Sequence, residues 1–144
     1  GALKNIIALC AGICDGMSLG DNAKAALVTR GLVEMIRFGE KVGGKIPTFM
    51  GLTGIGDLMV TCNSVHSRNF QAGLEIGKAD SSLNFMKNNK KTVEGIRTTK
   101  ILHELSKKMN IEMPIVEAVY QVIYENKRPS EIVYKLMERE LKKE

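Results

Sequence analysis

Residues 1–14 read GALKNIIALCAGIC. After Asn5 the run is apolar almost throughout, which suits a helix buried on nearly every face. On a helical wheel Lys4, Ala8, Ala11 and Asp15 form one stripe, spaced by four, three and four residues. Asn5 and Gly12 flank it, and Leu3, Ile6, Ile7, Leu9 and Ile13 fill the other faces. One stripe of a buried helix is thus lined with small side chains and headed by Lys and Asn. Small residues admit close approach, by another helix or by a flat ligand. The Lys4 ammonium has two readings on this pattern. Either it reaches water along its own methylene stem, or it is held at the helix head for chemistry.

The same periodicity continues along the chain. The first helix is predicted over about Ala2 to Cys14, with Asp15–Gly16 ending it. Gly20–Asp21–Asn22 is a turn, and Asp21 or Asn22 can cap a second helix. Its apolar stripe is Leu27, Val28, Gly31, Leu32, Met35, Phe38, Gly39 and Val42, and Gly43–Gly44 stops it. Pro47 starts a short helical piece, Thr48–Leu52, before the Gly-punctuated GLTGIGDLMVTC. A helix from near Ser67 to about Gly77 follows, then a turn at Leu83–Met86 within polar sequence. Val93 to Met109 reads as a long helix with Ile101, Leu102, Leu105 and Met109 on one face, ended by Asn110. Pro114 opens the next, where Ile115, Val116, Val119, Val122 and Ile123 repeat at helical spacing and Asn126 closes it. Pro129–Ser130 starts the last, with Ile132, Val133, Leu136, Met137 and Leu141 apolar. No segment alternates with period two, and no repeat or interdomain linker is visible. The expected fold is all-α: one domain over residues 1–144, with about six to eight helices.

Composition narrows the classes. The chain has 144 residues, 44% apolar and 26% charged, as expected for a soluble globular domain with a core. No apolar run reaches the roughly 18 residues that span a bilayer. Residues 1–14 lack the basic head and small-residue cleavage site of a signal peptide. The net charge of +5 can attract small phosphorylated ligands. Trp is absent and the Phe and Tyr residues are scattered, so no stacking platform for nucleic acid is expected. KNNKK, residues 87–91, reads as a solvated loop. Three cysteines fit a reducing compartment better than a disulfide framework, so a cytoplasmic location is expected. Cys10 and Cys14, and Cys62 and His66, have a spacing that zinc can use. Cys10 and Cys14 lie in an apolar helix, where cysteine is a small buried hydrophobe, so no metal is expected. His103 reads as a helix surface residue.

A second polar constellation lies in GDLMVTCNSVHSRNF, residues 56–70. Asp57 and Thr61 are four apart, on one face if the stretch is helical. Ser67, Arg68 and Asn69 sit at an expected helix start, where free backbone N–H groups and the positive dipole end favour anions. Arg adds a planar fork suited to phosphate, and Ser and Asn add neutral donors. The plainer alternative is an ordinary helix cap beside a surface arginine. Gly51, Gly54 and Gly56 spell GxxGxG, not GxGxxG, and no strand precedes them, so this is no dinucleotide-binding turn.

Taken together and in order, GALKN, GDNAKAALVTRGLVEM, GLTGIGDLMVTC, SRN, VEG and EMPI closely resemble the C-terminal domain of bacterial-type NAD(P)-dependent glycerol-3-phosphate dehydrogenases. The resemblance covers essentially the whole chain. It implies a two-domain enzyme that interconverts sn-glycerol 3-phosphate and dihydroxyacetone phosphate by hydride transfer, feeding glycerophospholipid synthesis. It also implies that an N-terminal Rossmann domain, absent from this chain, holds most of the NAD or NADP, and that a start at Gly1 lies near the seam between domains. By the same resemblance Lys4 is the proton acceptor, and Asp57 lies near the reacting end of the substrate. Ser67, Arg68 and Asn69 bind substrate, with Arg68 also reaching the cofactor, and Glu94 contacts the cofactor. Asn5 and Thr61 line the same site; His66 and Phe70 receive no role. The small-lined stripe after Lys4 is expected to face the nicotinamide or the cofactor domain. Exposed apolar surface at the seam makes self-association or a homodimer an expectation, and the chain by itself is expected to be inactive. The competing class is a non-catalytic helical binding module.

Overall fold

The computed structural model describes residues 2–42 and 67–143, all in helices and short connections. Seven helices are present among these residues: α1 (Ala2–Gly16), α2 (Asp21–Lys41), α3 (Arg68–Ala79), α4 (Leu83–Asn88), α5 (Glu94–Met109), α6 (Pro114–Tyr124) and α7 (Pro129–Lys143). No strand occurs among them. The all-α expectation holds. The expected helix at Thr48–Leu52 and the stop at Gly43–Gly44 lie outside the described residues.

Helix α1 is the axis of the fold. Ile6, Ile7, Ala8, Leu9 and Ala11 are all fully buried, because α2, α3 and α5 pack around it. Helix α6 joins the bundle through α2 and α5, and α7 packs on α6. Two apolar clusters fill the interior. One is built around Leu9, Ile13, Ile76, Val119 and Val122; the other around Ile6, Ile7, Met35, Phe70 and Val116. Burying each such side chain contributes roughly 1.5–3 kcal/mol relative to leaving it in water.

The small stripe of α1 meets another helix. A Cβ added to Gly12 would lie 2.2 Å from the Phe70 carbonyl oxygen, and one on Gly16 2.3 Å from that of Leu74. Reciprocally, a Cβ on Gly73 would lie 2.2 Å from the Leu9 oxygen, and one on Gly77 2.3 Å from the Ile13 oxygen. Two glycines four apart on each helix therefore let α1 and α3 touch backbone to backbone. This corrects the expectation that the stripe faces nicotinamide or a cofactor domain: Ala8, Ala11 and Gly12 are buried inside the bundle. At the end of the stripe, Asp15 accepts a hydrogen bond from Lys24 of α2 at 3.1 Å.

Most helix ends follow local chemistry. Asn110 and Asn126 take left-handed conformations, with φ of 56° and 54°, where α5 and α6 stop. Pro114 and Pro129 are the first residues of α6 and α7. Helix α2 differs. Its N-cap is Gly20, with no side-chain cap bond, and Asp21 sits in the first turn, where its charge favours the helix dipole. The face of α5 is also rotated from expectation. Ile101 is 55% exposed and Met109 38% exposed, while Gly95, Thr99, Leu102 and Ser106 are buried. The periodicity is obscured because two buried positions are hydroxyl residues. Each satisfies itself on its own helix, Thr99 on the Gly95 oxygen at 2.6 Å and Ser106 on the His103 oxygen at 2.8 Å. Of KNNKK, Lys87 and Asn88 close α4, and the remaining three residues are exposed connection.

Candidate functional site

Three helix starts meet at one end of α1. The side chain of Asn69, in the first turn of α3, is the link. Its Nδ2 donates to Asn5 Oδ1 of α1 at 3.1 Å, and its Oδ1 accepts from the Gly95 backbone N–H of α5 at 2.7 Å. Asn69 is 8% exposed, so these bonds form in a largely dry setting. Lys4 and Asn5 are half-buried in the opening turn of α1. Glu94 is the first residue of α5 and is exposed next to Gly95.

Ser67 is the N-cap of α3, and its Oγ accepts from the Phe70 N–H at 3.4 Å. That bond uses one of the helix's orphan donors. The N–H groups of Arg68 and Asn69 stand earlier in the same turn, before any intrahelical partner is available. Phe70 itself is core, 2% exposed. Arg68 is exposed and lines a cleft of about 480 Å³ between α3 and the segment after α4, together with Gln71, Lys78, Asn89, Lys91 and Val93. The Arg68 guanidinium and the first backbone N–H groups of α3 are groups suited to a small anion; Lys4 and Asn5 do not line the cleft that Arg68 lines.

Of the residues singled out from sequence, Lys4, Asn5, Ser67, Arg68, Asn69 and Glu94 therefore gather around the Asn69 bridge. Asp57 and Thr61 lie outside the described residues, as do Cys62 and His66. Among the described residues no group of His, Cys, Asp and Glu is placed to hold a metal, and no helix is long and apolar enough to cross a membrane. Cys10 and Cys14 are free cysteines buried in α1.

Three features are not legible in the sequence. Gly95 is one: a Cβ there would lie 2.7 Å from both the Asn69 Oδ1 and the Asn5 carbonyl oxygen. Glu34 of α2 is another. It is 2% exposed and accepts from the N–H groups of Ile115 and Val116, capping α6 from a different helix. Burial pushes its carboxyl up to about 7, against the pull of those two N–H groups and of Arg30 and Arg139. The one available hint is a carboxylate inside the α2 apolar stripe. His103 is the third. It is not a plain surface residue: its ring stacks on Tyr120 at 3.6 Å, with Nε2 2.6 Å from Glu117 Oε2.

Comparison with known proteins sets these features in a family. Residues 1–134 match the model described as NAD-dependent glycerol-3-phosphate dehydrogenase C-terminus. Relatives named glycerol-3-phosphate dehydrogenase [NAD(P)+], from Bacillus thuringiensis (strain Al Hakam) and Bacillus anthracis (strain A0248), are each 56% identical over all 144 residues. The chain spans 42% of the length of these curated relatives. Among solved structures, glycerol-3-phosphate dehydrogenase from Coxiella burnetii superimposes with a TM-score of 0.86 at 41% identity, over 96% of this chain and 42% of that one. The Plasmodium falciparum glycerol-3-phosphate dehydrogenase gives 0.78 at 28% identity, over 95% of this chain and 40% of that one. The chain belongs to the NAD-dependent glycerol-3-phosphate dehydrogenase C-terminal family.

Proposed function

We propose that residues 1–144 form the substrate-binding and catalytic domain of a glycerol-3-phosphate dehydrogenase, whose full-length polypeptide adds an N-terminal Rossmann domain for NAD or NADP. The observation that carries this reading is the meeting of three helix starts at Asn69, which brings the neighbourhoods of Lys4, Arg68 and Glu94 to one end of the bundle.

In this reading Lys4 takes the hydroxyl proton when glycerol 3-phosphate is oxidised and returns it to the carbonyl oxygen in the reverse direction. Arg68 and the open N–H groups at the start of α3 neutralise the substrate phosphate. That phosphate is remote from the reacting carbon, so its binding energy serves to hold the carbon in place. The family resemblance adds Asp57 near the reacting end of the substrate and Thr61 as a further polar residue of the same site. The cleft carries three cations, Arg68, Lys78 and Lys91, against the one carboxylate of Glu75, a positive balance that suits an anionic cofactor group; the family resemblance adds Glu94 as a further cofactor contact. When bound, the nicotinamide takes or supplies the hydride. A cytoplasmic setting belongs to the same reading, from the small, odd number of cysteines in the sequence. Self-association of the chain belongs to the same reading, through surface that the cofactor domain would cover.

The test is turnover of the full-length polypeptide with glycerol 3-phosphate or dihydroxyacetone phosphate, followed by nicotinamide absorbance. Lys4→Met is expected to lower kcat by about 10²- to 10⁴-fold while circular dichroism stays unchanged. Near-normal turnover would remove Lys4 from the proton role. Absence of turnover in the unaltered polypeptide with both cofactors would favour a non-catalytic helical binding module.

A further inference from the structure

We propose that Cys10 and Cys14 form a dithiol site for trivalent arsenic, taken up as arsenite, in the apolar cavity that α7 closes over α1. The site is separate from the dehydrogenase site and does not depend on the reading of it.

Three observations carry the proposal. First, the two cysteines stand four residues apart on α1, so their side chains are neighbours on one face. Both are free, and both line the same cavity between α1, α6 and α7. The Cys10 thiol donates a hydrogen bond to the Cys14 sulfur and so holds the Cys14 thiol below its ordinary value, against burial and the Asp15 carboxylate, which raise it. The thiolate is the form that attacks. Second, the cavity suits a small neutral adduct. Its volume is about 30 Å³, room for about one or two water-sized groups. Apart from the two thiols its lining is apolar. Two sulfur donors are too few for a structural zinc, which takes four ligands. They are enough for arsenite, because arsenic keeps one hydroxyl as its third ligand. As(OH)3 and two thiols give (RS)2As–OH and two waters: two As–O and two S–H bonds break, two As–S and two O–H bonds form, and arsenic stays trivalent. Reactant and product are both neutral, so burial in apolar surroundings carries no charge penalty, whereas two thiolates on a monovalent ion would leave a buried negative charge. Third, the cover is fastened by groups that face water. Ile132, Val133 and Leu136 of α7 line the cavity, and Cys10 and Cys14 are only 7% and 1% exposed. Asp80, just past the end of α3, accepts from the Ser130 N–H at 2.8 Å, the Ser130 hydroxyl at 2.7 Å and Arg128 Nε at 2.9 Å. Exposed bonds of this kind open at lower cost than buried ones, so the first turn of α7 is the way in.

The experiment titrates the full-length polypeptide with sodium arsenite, with uptake read by native mass spectrometry and the adduct placed by peptide mapping. Circular dichroism is followed alongside, so that uptake is read on the folded chain. The parent is compared with Cys10→Ala and Cys14→Ala, which keep the buried positions small and apolar. The parent is expected to bind one equivalent more than either variant, with the adduct on the peptide that holds Cys10 and Cys14. Losing one thiol removes the chelate and is expected to weaken uptake at this site by at least about 100-fold. Asp80→Ala removes the cap on α7 and is expected to speed uptake about fivefold. Equal uptake by the parent and both cysteine variants would overturn the site, as would an adduct on other cysteines alone or uptake only after the chain is unfolded in urea. An unchanged rate in Asp80→Ala would overturn α7 as the cover. Should a cysteine variant fail to fold, the mapped position of the adduct on the folded parent decides alone.

Discussion

The two ends of α1 meet the same partner, α3, by opposite means. At the C-terminal end Gly12 and Gly16 lie against the α3 backbone and Gly73 and Gly77 against the α1 backbone, with no side chain between them. At the N-terminal end the contact is one amide–amide hydrogen bond, Asn69 to Asn5, with a lysine and an arginine as sequence neighbours. The glycine end has one possible helix separation, since backbone atoms cannot move closer and a Cβ would force them apart. The polar end inherits that separation, at which Asn69 Nδ2 reaches Asn5 Oδ1 at 3.1 Å. The tight, chemically silent contact makes the polar one reproducible.

The largest predicted effect breaks the silent end. Gly12→Ala puts a Cβ 2.2 Å from the Phe70 oxygen, a backbone atom that cannot swing away. Loss of roughly 3 kcal/mol of unfolding free energy is expected by urea denaturation. A loss under about 0.5 kcal/mol, the range of ordinary surface changes, would mean that α1 and α3 are not in backbone contact.

The second prediction concerns a buried charge that belongs to neither end. The Glu34 carboxyl rises from 4.5 to about 7 on folding, because burial outweighs the pull of the Ile115 and Val116 N–H groups and of Arg30 and Arg139. Between those two values the folded chain keeps a proton that the unfolded chain has released. Stability therefore falls as pH rises through this window. The full span is worth roughly 3 kcal/mol at about 1.4 kcal/mol per unit. Glu34→Gln cannot titrate, so this part of the pH slope is expected to vanish in denaturation curves collected from about pH 4 to 8. An unchanged slope would assign the dependence to other groups.

The smallest effect sharpens the comparison from the polar end. Arg68 is exposed, so Arg68→Ala is expected to change stability by under about 0.5 kcal/mol. Its loss of a charge-assisted contact should cost roughly 1.5–3 kcal/mol in binding of glycerol 3-phosphate and nothing on unphosphorylated glycerol. Equal losses on both would argue against a phosphate contact. Stability without kinetics at one end of the crossing, and kinetics without stability at the other, is the pattern the two ends should give.

What the sequence reveals follows the range of the interactions. Helix stops at Asn110 and Asn126 and starts at Pro114 and Pro129 are legible because they are set by the residue itself and its immediate neighbours. The broad apolar face of α6 is legible for the same reason. What is not legible depends on partners far along the chain. Nothing local distinguishes Gly12 as a helix contact from Gly12 as room for a ligand; the answer lies in Gly73, on another helix. The pairing of Asn69 with Asn5, 64 residues away, has no mark in the local sequence. Glu34 looks like a polar interruption of a stripe until α6 is laid over it. The site residues are recognisable as a set through the order of their motifs; Gly95 is part of VEG, but the sequence does not show that its missing side chain makes room for Asn69 and the Asn5 carbonyl.

If the helix starts around Asn69 form the substrate seat and the glycine crossing does not, amide protection will separate the two. Backbone hydrogen exchange of the full-length polypeptide, with and without glycerol 3-phosphate, reads both at once. Added protection is expected at Lys4–Asn5, Ser67–Asn69 and Glu94–Gly95, with none at Gly12–Gly16 or Gly73–Gly77. Protection centred on the glycine crossing, or none at the three helix starts, would contradict this assignment of the seat.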